Sequence, residues 1–507
     1  MTTVQAPAVT SDPIKRIRLN RGVVMTFDGP GEFRLSLGAA TAGAQRVSEW
    51  LLALLRRLES TDVPEEELQA AALAHGGPGG LFRWVENVRR LDAAGMLART
   101  LTLGEQVICR LLPLGAGPSE SPPAFDPAAR QRLSRFAVVR RERGALIAQH
   151  PGSHLAVELG RPAIAVVGCL TSWTSWADVA RGSESVPGPV VRAVLEQLIR
   201  AAVLDQLPAD AQPPAEPPGA VAWNLFDWWL HSRTRNPRIV TGWGGSYPGR
   251  DRFDRQPAAP APLPGRVVDL PVPDLSTQVG RTAGLVEVME SRRSVRAHDD
   301  AHPISIEQLA ELFYRTVRTR SIEQTLDGCD EIVDRPYPSG GGLHELEIYP
   351  VVRRCAGLDP GMWHYRSVEH RLEWVAPLGE KVDPLLWSAQ SASTMAMAPQ
   401  VLLVISARFG RVMWKYESIA YALTLKNVGV LFGSLYLVAT EMGLAPLALG
   451  SGDSTAFGDA TGLDRMVESS VGEFVIGSRP ASVDPGKLLE WGEDVDGVPV
   501  QGIAARA

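Results

Sequence analysis

The chain has 507 residues, 45% hydrophobic, 21% charged and 7% aromatic. At roughly 100 to 200 residues per domain that is too long for one small binding module and enough for about two to four domains. Fifty-one Arg and Lys against 57 Asp and Glu leave a formal charge of −6, without the basic surplus that draws in nucleic acid or anionic lipid. Cys109, Cys169, Cys329 and Cys355 have neither CxxC nor metal-ligand spacing, which predicts a reducing, cytoplasmic setting. The first twenty residues lack a signal-like apolar region, and no run of about 18 apolar residues passes without charge, Gly or Pro, so no membrane span is expected.

Proline-rich stretches at 113–127, 208–218 and 257–273 read as loops or semi-rigid linkers. They suggest a module over 1–115, a second small α+β module over 116–212, a linker and arm over 213–270, and a domain over 271–507. The first segment reads as a strand near 15–25, helices near 44–58, 64–74 and 80–92, and a strand over 96–103. Pro64 followed by three Glu marks a helix start, and the order is that of a winged helix. Between Ile14 and Gly104 there are 12 basic and 10 acidic residues, with no dense basic helix for a DNA groove. Peptide binding by strand addition fits better, because main-chain pairing needs only an exposed edge. The second segment reads as strands FAVVRRERGALIAQ, HLAVEL and AIAVVG, then helices near 175–182 and 189–207.

Further along, a helix ends in Arg292-Arg293-Ser294-Val295-Arg296. Guanidinium forks match phosphate oxygens bidentately and the serine adds a hydrogen bond, so an anion grip and a solvated basic turn are both open. A helix from Ser305 to about Arg318 follows, capped by Ser305 with Glu307 in its first turn. Pro338-Ser339-Gly340-Gly341-Gly342 then precedes a strand over 346–352; three glycines let backbone pass close to a planar ligand or phosphate. Residues 400–407 read as a buried strand and Trp414 to Met442 as a long core helix. Lys415 falls in that helix's expected first turn, where the dipole disfavours a cation. It is either a solvated lysine or a desolvated general base. Gly450-Ser451-Gly452 closes a short strand, and a last strand near 471–476 leads to Arg479.

Together RRSVR, PYPSGGGLHELEIYPVV, WKYESIAYALTLKNVG and GLAPLALGSGD to EFVIGSRP resemble the nitroreductase-like flavoproteins, and among them the SagB-type azoline dehydrogenases of thiazole/oxazole-modified peptide biosynthesis. Trp223 to Arg235 is similar to the segment preceding the flavin domain in that family, and the N-terminal segments resemble winged-helix peptide-recognition elements. The resemblance implies an α+β, nitroreductase-like flavin domain preceded by small winged-helix-like modules. It implies that Arg292, Ser294, Arg296 and Arg479 hold the phosphate and ribityl oxygens of FMN, that Pro338, Ser339, Gly340, Gly341, Gly450 and Ser451 line the ring, and that Asn427 contacts the ribityl chain. Lys415 and Tyr416 match the catalytic pair. The implied activity is oxidation of thiazoline or oxazoline to thiazole or oxazole in a leader-bearing precursor peptide, by a homodimer with flavin between subunits, alongside a cyclodehydratase. An NAD(P)H-dependent nitro or quinone reductase and a flavin-free peptide-binding scaffold are the rivals.

Overall fold

A computed structural model describes residues 12–29, 32–37, 40–44, 48–115, 117, 124–213, 215, 218–235, 244–277 and 283–481. The proline stretches expected as linkers at 113–127 and 208–218, and the end of the domain expected over 271–507, lie partly outside these residues. The chain divides into two compact units, Met1–Ser246 and Tyr247–Ala507.

In the first unit, one antiparallel seven-stranded sheet runs in the order Val63–Pro64, Ile14–Leu19, Leu97–Leu103, Gln106–Pro113, Leu155–Leu159, Ala145–Gln149, Val138–Glu142. The sheet crosses the boundary expected near 115, because Pro113 pairs with Leu155 and Cys109 with Leu159. One apolar cluster gathers Leu55, Leu68 and Trp84, and a second gathers Val157, Val194 and Leu198.

Three local expectations change. The two helices near 64–74 and 80–92 form one element, Glu65–Ala93, kinked where Gly77 takes φ +61° ahead of Pro78; proline interrupts the hydrogen-bond ladder there. AIAVVG is not a strand but lies in the helix Arg161–Gly168, with Pro162 in its first turn. The β-branched run suits either state, and burial of Ala163 and Val166 selects the helix. The helix expected to reach 207 stops at Arg200, and Leu204–Leu207 is a strand paired with Arg130–Leu133.

The second unit is built on another antiparallel seven-stranded sheet. Its order is Val267–Asp269, Arg371–Ala376, Gly361–Arg366, Leu346–Val352, Val401–Arg408, Glu468–Ile476, Leu447–Leu449. Leu346–Val352 and Val401–Arg408 are buried at every position, because the sheet is covered on both faces. Ile348, Leu403 and Ile405 meet Leu309 and Phe313 of the helix Ile306–Thr316 and Leu431 and Leu435 of the helix Ala420–Glu441. Tyr349, Leu402 and Val404 meet Leu385 and Phe457 of the helices Asp383–Ser393 and Ser454–Thr461. The alternation follows the two-residue period of a strand, and the architecture is α+β. Ser305 caps its helix as expected, and Gln308 reaches back to complete a capping box.

The segment expected as linker and arm is divided. Helix Leu225–Arg235 belongs to the first unit, and from Tyr247 the chain is part of the second. Residues 256–263 are docked. Arg411 donates to the Gln256 carbonyl at 3.0 Å, Arg408 to Pro257 at 2.7 Å and Arg366 to Pro260 at 2.8 Å, while the Leu263 N–H donates to Glu373 at 2.8 Å. Proline-rich backbone leaves its carbonyls unpaired, and buried arginines satisfy them.

Candidate active site

Lys415 is not in the first turn of the long helix. It ends a separate short helix, Phe409–Lys415; Tyr416 is extended, and the long helix begins at Ala420. At a helix C-terminus the dipole favours a cation, which reverses the argument drawn from the sequence. The Lys415 ammonium donates to Asp330 Oδ2 at 2.7 Å, and the Tyr247 hydroxyl donates to the same oxygen at 2.8 Å. Asp330 is 2% exposed, and its Oδ1 is buried without a partner. The Tyr247 N–H donates to the Lys415 carbonyl at 3.0 Å. Burial, with the bond to Asp330 behind it, pushes the Tyr247 phenol up to about 12. Neither Asp330 nor Tyr247 was singled out from the sequence.

Arg411, one turn before Lys415, holds this group together. Its Nε and Nη2 donate to the Leu343 carbonyl at 3.2 and 2.7 Å, Nη2 also to the Glu331 carbonyl at 3.1 Å, and Nη1 to the Gln256 carbonyl and Glu331 Oε2 at 3.0 and 3.3 Å. Burial lowers its guanidinium to about 10.

The glycine loop is a single tight turn, Gly340–Gly342, with Gly341 at φ +67°. A Cβ on Gly341 would lie 2.5 Å from the Tyr416 hydroxyl, so only glycine brings loop and phenol this close. Asn427 ties the loop to the long helix. Its Oδ1 accepts from the Gly340 N–H at 3.0 Å, and its Nδ2 donates to Ser339 Oγ at 3.1 Å and to buried Glu345 at 2.9 Å. The amide expected to touch a ribityl chain is therefore engaged in positioning Ser339 and Gly340. Pro338 and Gly341 are exposed, and Ser339 and Gly340 half-buried.

The arginine segment forms a second group. The Arg292 guanidinium lies 5.2 Å from the Tyr436 ring centroid, and Ser294 Oγ is 2.8 Å from the Tyr436 hydroxyl, which also accepts from the Ala448 N–H at 2.8 Å. Tyr436 is a further residue the sequence reading did not mark. The Val295 N–H donates to the Pro446 carbonyl, Ala445 to Gly477 and Asp299 to Ser478, so 292–299 runs beside both 444–449 and 477–479. Arg296 lies in the same segment, and Gly450 and Ser451 leave its edge exposed. Nε and Nη2 of Arg479 are buried with no partner, and burial lowers its guanidinium from the ordinary value.

The structure thus places Lys415, Tyr416, Asn427 and the glycine loop in one group, and Arg292, Ser294, Arg296, Gly450, Ser451 and Arg479 in another. Residues 289–478 match the nitroreductase family. The chain is 27% identical over 188 residues to a putative nitroreductase of Methanocaldococcus jannaschii, across 37% of this chain and 86% of that one. It is 27% identical over 172 residues to the trifolitoxin-processing protein TfxB of Rhizobium leguminosarum bv. trifolii, covering 32% of this chain and 44% of the relative. It is 28% identical over 118 residues to the microcin B17-processing protein McbC of Escherichia coli, covering 22% and 42%. The chain therefore spans less than half the length of either peptide-processing relative.

His344, next to the loop, is 3% exposed and its Nδ1 has no partner. Burial first, then Arg335, Arg411 and Arg320, pushes it down to about 3. An unfolded histidine titrates at about 6.5, so the unfolded chain binds this proton first as pH falls. The stability contributed by neutral His344 is complete above about 6.5 and is lost as pH drops toward 3. Urea midpoints should fall steadily from pH 6.5 to 4, and His344→Gln should flatten that slope; an unchanged slope rejects the assignment.

Proposed function

We propose that the chain is an FMN-dependent oxidase that converts thiazoline or oxazoline rings in a ribosomally made precursor peptide to thiazole or oxazole, with a cyclodehydratase as partner. The observation that carries this reading is the juxtaposition of Lys415 and Tyr416 with an exposed glycine loop within the residues that match the nitroreductase family. Similarity to proteins named for trifolitoxin and microcin B17 processing supports a peptide substrate.

The residues present fit FMN. Arg479 offers two buried, unpartnered guanidinium nitrogens, Arg292 and Arg296 add charge for a phosphate, and Pro338, Gly341, Gly450 and Ser451 offer exposed backbone for a ring, with open space beside Gly450. When bound, the flavin accepts a hydride from the ring carbon. The protein orients the peptide and removes the proton from the adjacent carbon. Lys415 must first release a proton of its own, and the 2.7 Å contact gives the route, from Nζ to Asp330 Oδ2. The freed amine then takes the substrate proton, with Tyr416 orienting the ring.

The Lys415–Asp330 ion pair also favours a second reading, in which Lys415 remains an ammonium and the domain is an NAD(P)H-dependent nitro or quinone reductase. Lys415→Ala separates the two. It should retain a yellow FMN spectrum but lose azole formation by about 10²- to 10⁴-fold, followed as two mass units lost per ring; undiminished turnover ends the base assignment. Asp330→Asn removes the charge that holds the ammonium in a buried position. It also removes the proton acceptor, so azole formation should fall while the FMN spectrum is kept, and undiminished turnover argues against the proton route.

A homodimer completes the proposal. The helix Ala420–Glu441 is long and apolar enough to cross a membrane by length and composition, yet Val428, Leu431 and Leu435 are buried in the core of its own domain. Its other side exposes Tyr421, Leu425 and Val430, and the helix Leu285–Ser291 exposes Leu285, Val286 and Met289. Gly429 and Gly433, one turn apart, have nothing within 4 Å of an added Cβ, room for a second helix to approach closely. Val430→Glu should turn a dimeric mass by light scattering into a monomeric one with loss of flavin; a monomeric wild type with flavin bound refutes the dimer.

A further inference from the structure

The first unit contains a cleft of about 430 Å³ that no part of the flavin chemistry uses. Lys15, Arg99 and Leu101 line it from the sheet, Phe125 from the segment before the strand Arg130–Leu133, and Glu196 and Arg200 from the helix Gly188–Arg200. Its cations differ in state. Arg99 is held by Glu65 and Asp92. Arg16, also on the wall, donates to Thr102 Oγ1 at 3.2 Å and to the Asp62 carbonyl at 3.2 Å. Glu196 pairs with Arg192 at 3.2 Å. Arg200 and Lys15, among the described residues, have no hydrogen-bond or ion-pair partner. Burial first, then repulsion from Arg99, lowers the Arg200 guanidinium from its ordinary value, and the charges of Asp92, Glu65 and Glu196 offset only part of this. Desolvation and the neighbouring Arg99 outweigh the three carboxylates at this half-buried guanidinium, and an anion bonded directly to it would relieve the remainder.

We propose that this cleft is a binding site for an acidic peptide segment, whose carboxylate is taken by Arg200 and Lys15 while its neighbouring apolar side chain packs on Leu101 and Phe125. Several features favour a peptide carboxylate over a phosphate or nucleic acid. The volume suits two or three side chains. Four cations, Lys15, Arg16, Arg99 and Arg200, outnumber Glu65 and Glu196 in the lining, beside apolar Leu101 and Phe125, and the planar guanidinium fork matches a carboxylate. The helix that carries Arg200 enters by its C-terminal end, whose dipole opposes a concentrated anionic charge. The segment from Ile14 to Gly104 has 12 basic and 10 acidic residues, without the surplus that duplex binding draws on. The inference deepens the reading above and rests on it for the choice of a peptide, but its chemistry lies in a different unit from the flavin domain.

The test uses the full chain and a fluorescein-labelled octapeptide with consecutive Glu and Asp residues flanked by Leu, its Gln/Asn counterpart, a labelled duplex DNA and inorganic phosphate as competitor. The acidic peptide should bind with an affinity that falls as salt rises, about tenfold or more above the amide counterpart. Arg200→Gln should lose that difference while its melting midpoint stays or rises, because an unpaired cation has been removed. Arg181→Ala, an exposed site outside the cleft, should bind as wild type. Equal binding of the two peptides overturns the proposal, as does tighter binding of the duplex, displacement by phosphate at low millimolar concentration, or a lowered midpoint in Arg200→Gln. Azole formation is measured in parallel. If azoles form and the acidic peptide is ignored, this site is wrong and the enzymatic reading stands; if the peptide binds through Arg200 and no azole forms on any azoline peptide, the enzymatic reading alone fails.

Discussion

One buried guanidinium organises the candidate active site. Arg411 has five N–H donors, and each has an acceptor: Leu343 twice, Glu331 by its carbonyl and by its carboxylate, and Gln256. Those acceptors belong to the end of the glycine loop, to the strand Glu331–Asp334 that begins directly after Asp330, and to the proline-rich segment that follows Tyr247. Arg411 itself stands one helical turn before Lys415. Burying a charge costs several kcal/mol unless it is fully satisfied, so the arrangement is stable only with all three segments in place. The geometry around Lys415 is thus a consequence of satisfying Arg411, and the Tyr247–Asp330–Lys415 contacts follow from it.

The helix Ala420–Glu441 supplies the second constraint. Asn427 and Tyr436 are nine residues apart, about 13.5 Å along the axis and two and a half turns around it, so they emerge on opposite flanks of the buried stripe. Asn427 fixes the glycine loop and Tyr436 organises Arg292, Ser294 and the strand before Gly450. One chain therefore presents its glycine loop and the segment of Arg292 and Ser294 on two sides of one helix. The exposed side of that helix carries Gly429 and Gly433. A partner copy packed there is the economical way to bring a loop from one subunit to the arginines of the other, and this is the physical content of the dimer proposed above.

Much of the framework was legible from local pattern. Val401–Arg408 follows from a nearly continuous apolar run, and the cap at Ser305 from its hydroxyl and the polar first turn. The break between Lys415 and Ala420 was not legible, because no glycine or proline marks it. Tyr416 leaves helical geometry where its ring packs with Leu423 against Leu343 and Val412, a tertiary effect that overrides a sequence of good helix formers. Asp330 and Tyr247 were invisible for a related reason. They lie 85 positions from Lys415 and 83 from Asp330 respectively, and a carboxylate or phenol in a loop has no local signature. The resemblance named the residues that resemble a catalytic pair; only the fold shows what holds them. It also gives Asn427 a different contact from the one the resemblance implied.

Arg411, Arg479 and Arg200 differ in how far their donors are engaged; a single unpartnered nitrogen, as at Arg335 Nε, occurs in the framework as well. Arg411 is complete and has no capacity for a ligand. Arg479 keeps two buried nitrogens without partners, and Arg200, among the described residues, has no hydrogen bond or ion pair, only the more distant charges of Asp92, Glu65 and Glu196. Desolvation weighs on all three guanidiniums, but only in Arg411 does the protein itself compensate it in full. An uncompensated buried cation lowers stability in the free state and recovers that loss when an anion arrives. It therefore marks a place where the fold is completed by something other than itself. The two proposals above put a phosphate-bearing cofactor at Arg479 and a carboxylate at Arg200, and because the two residues belong to different units each proposal can fail without the other.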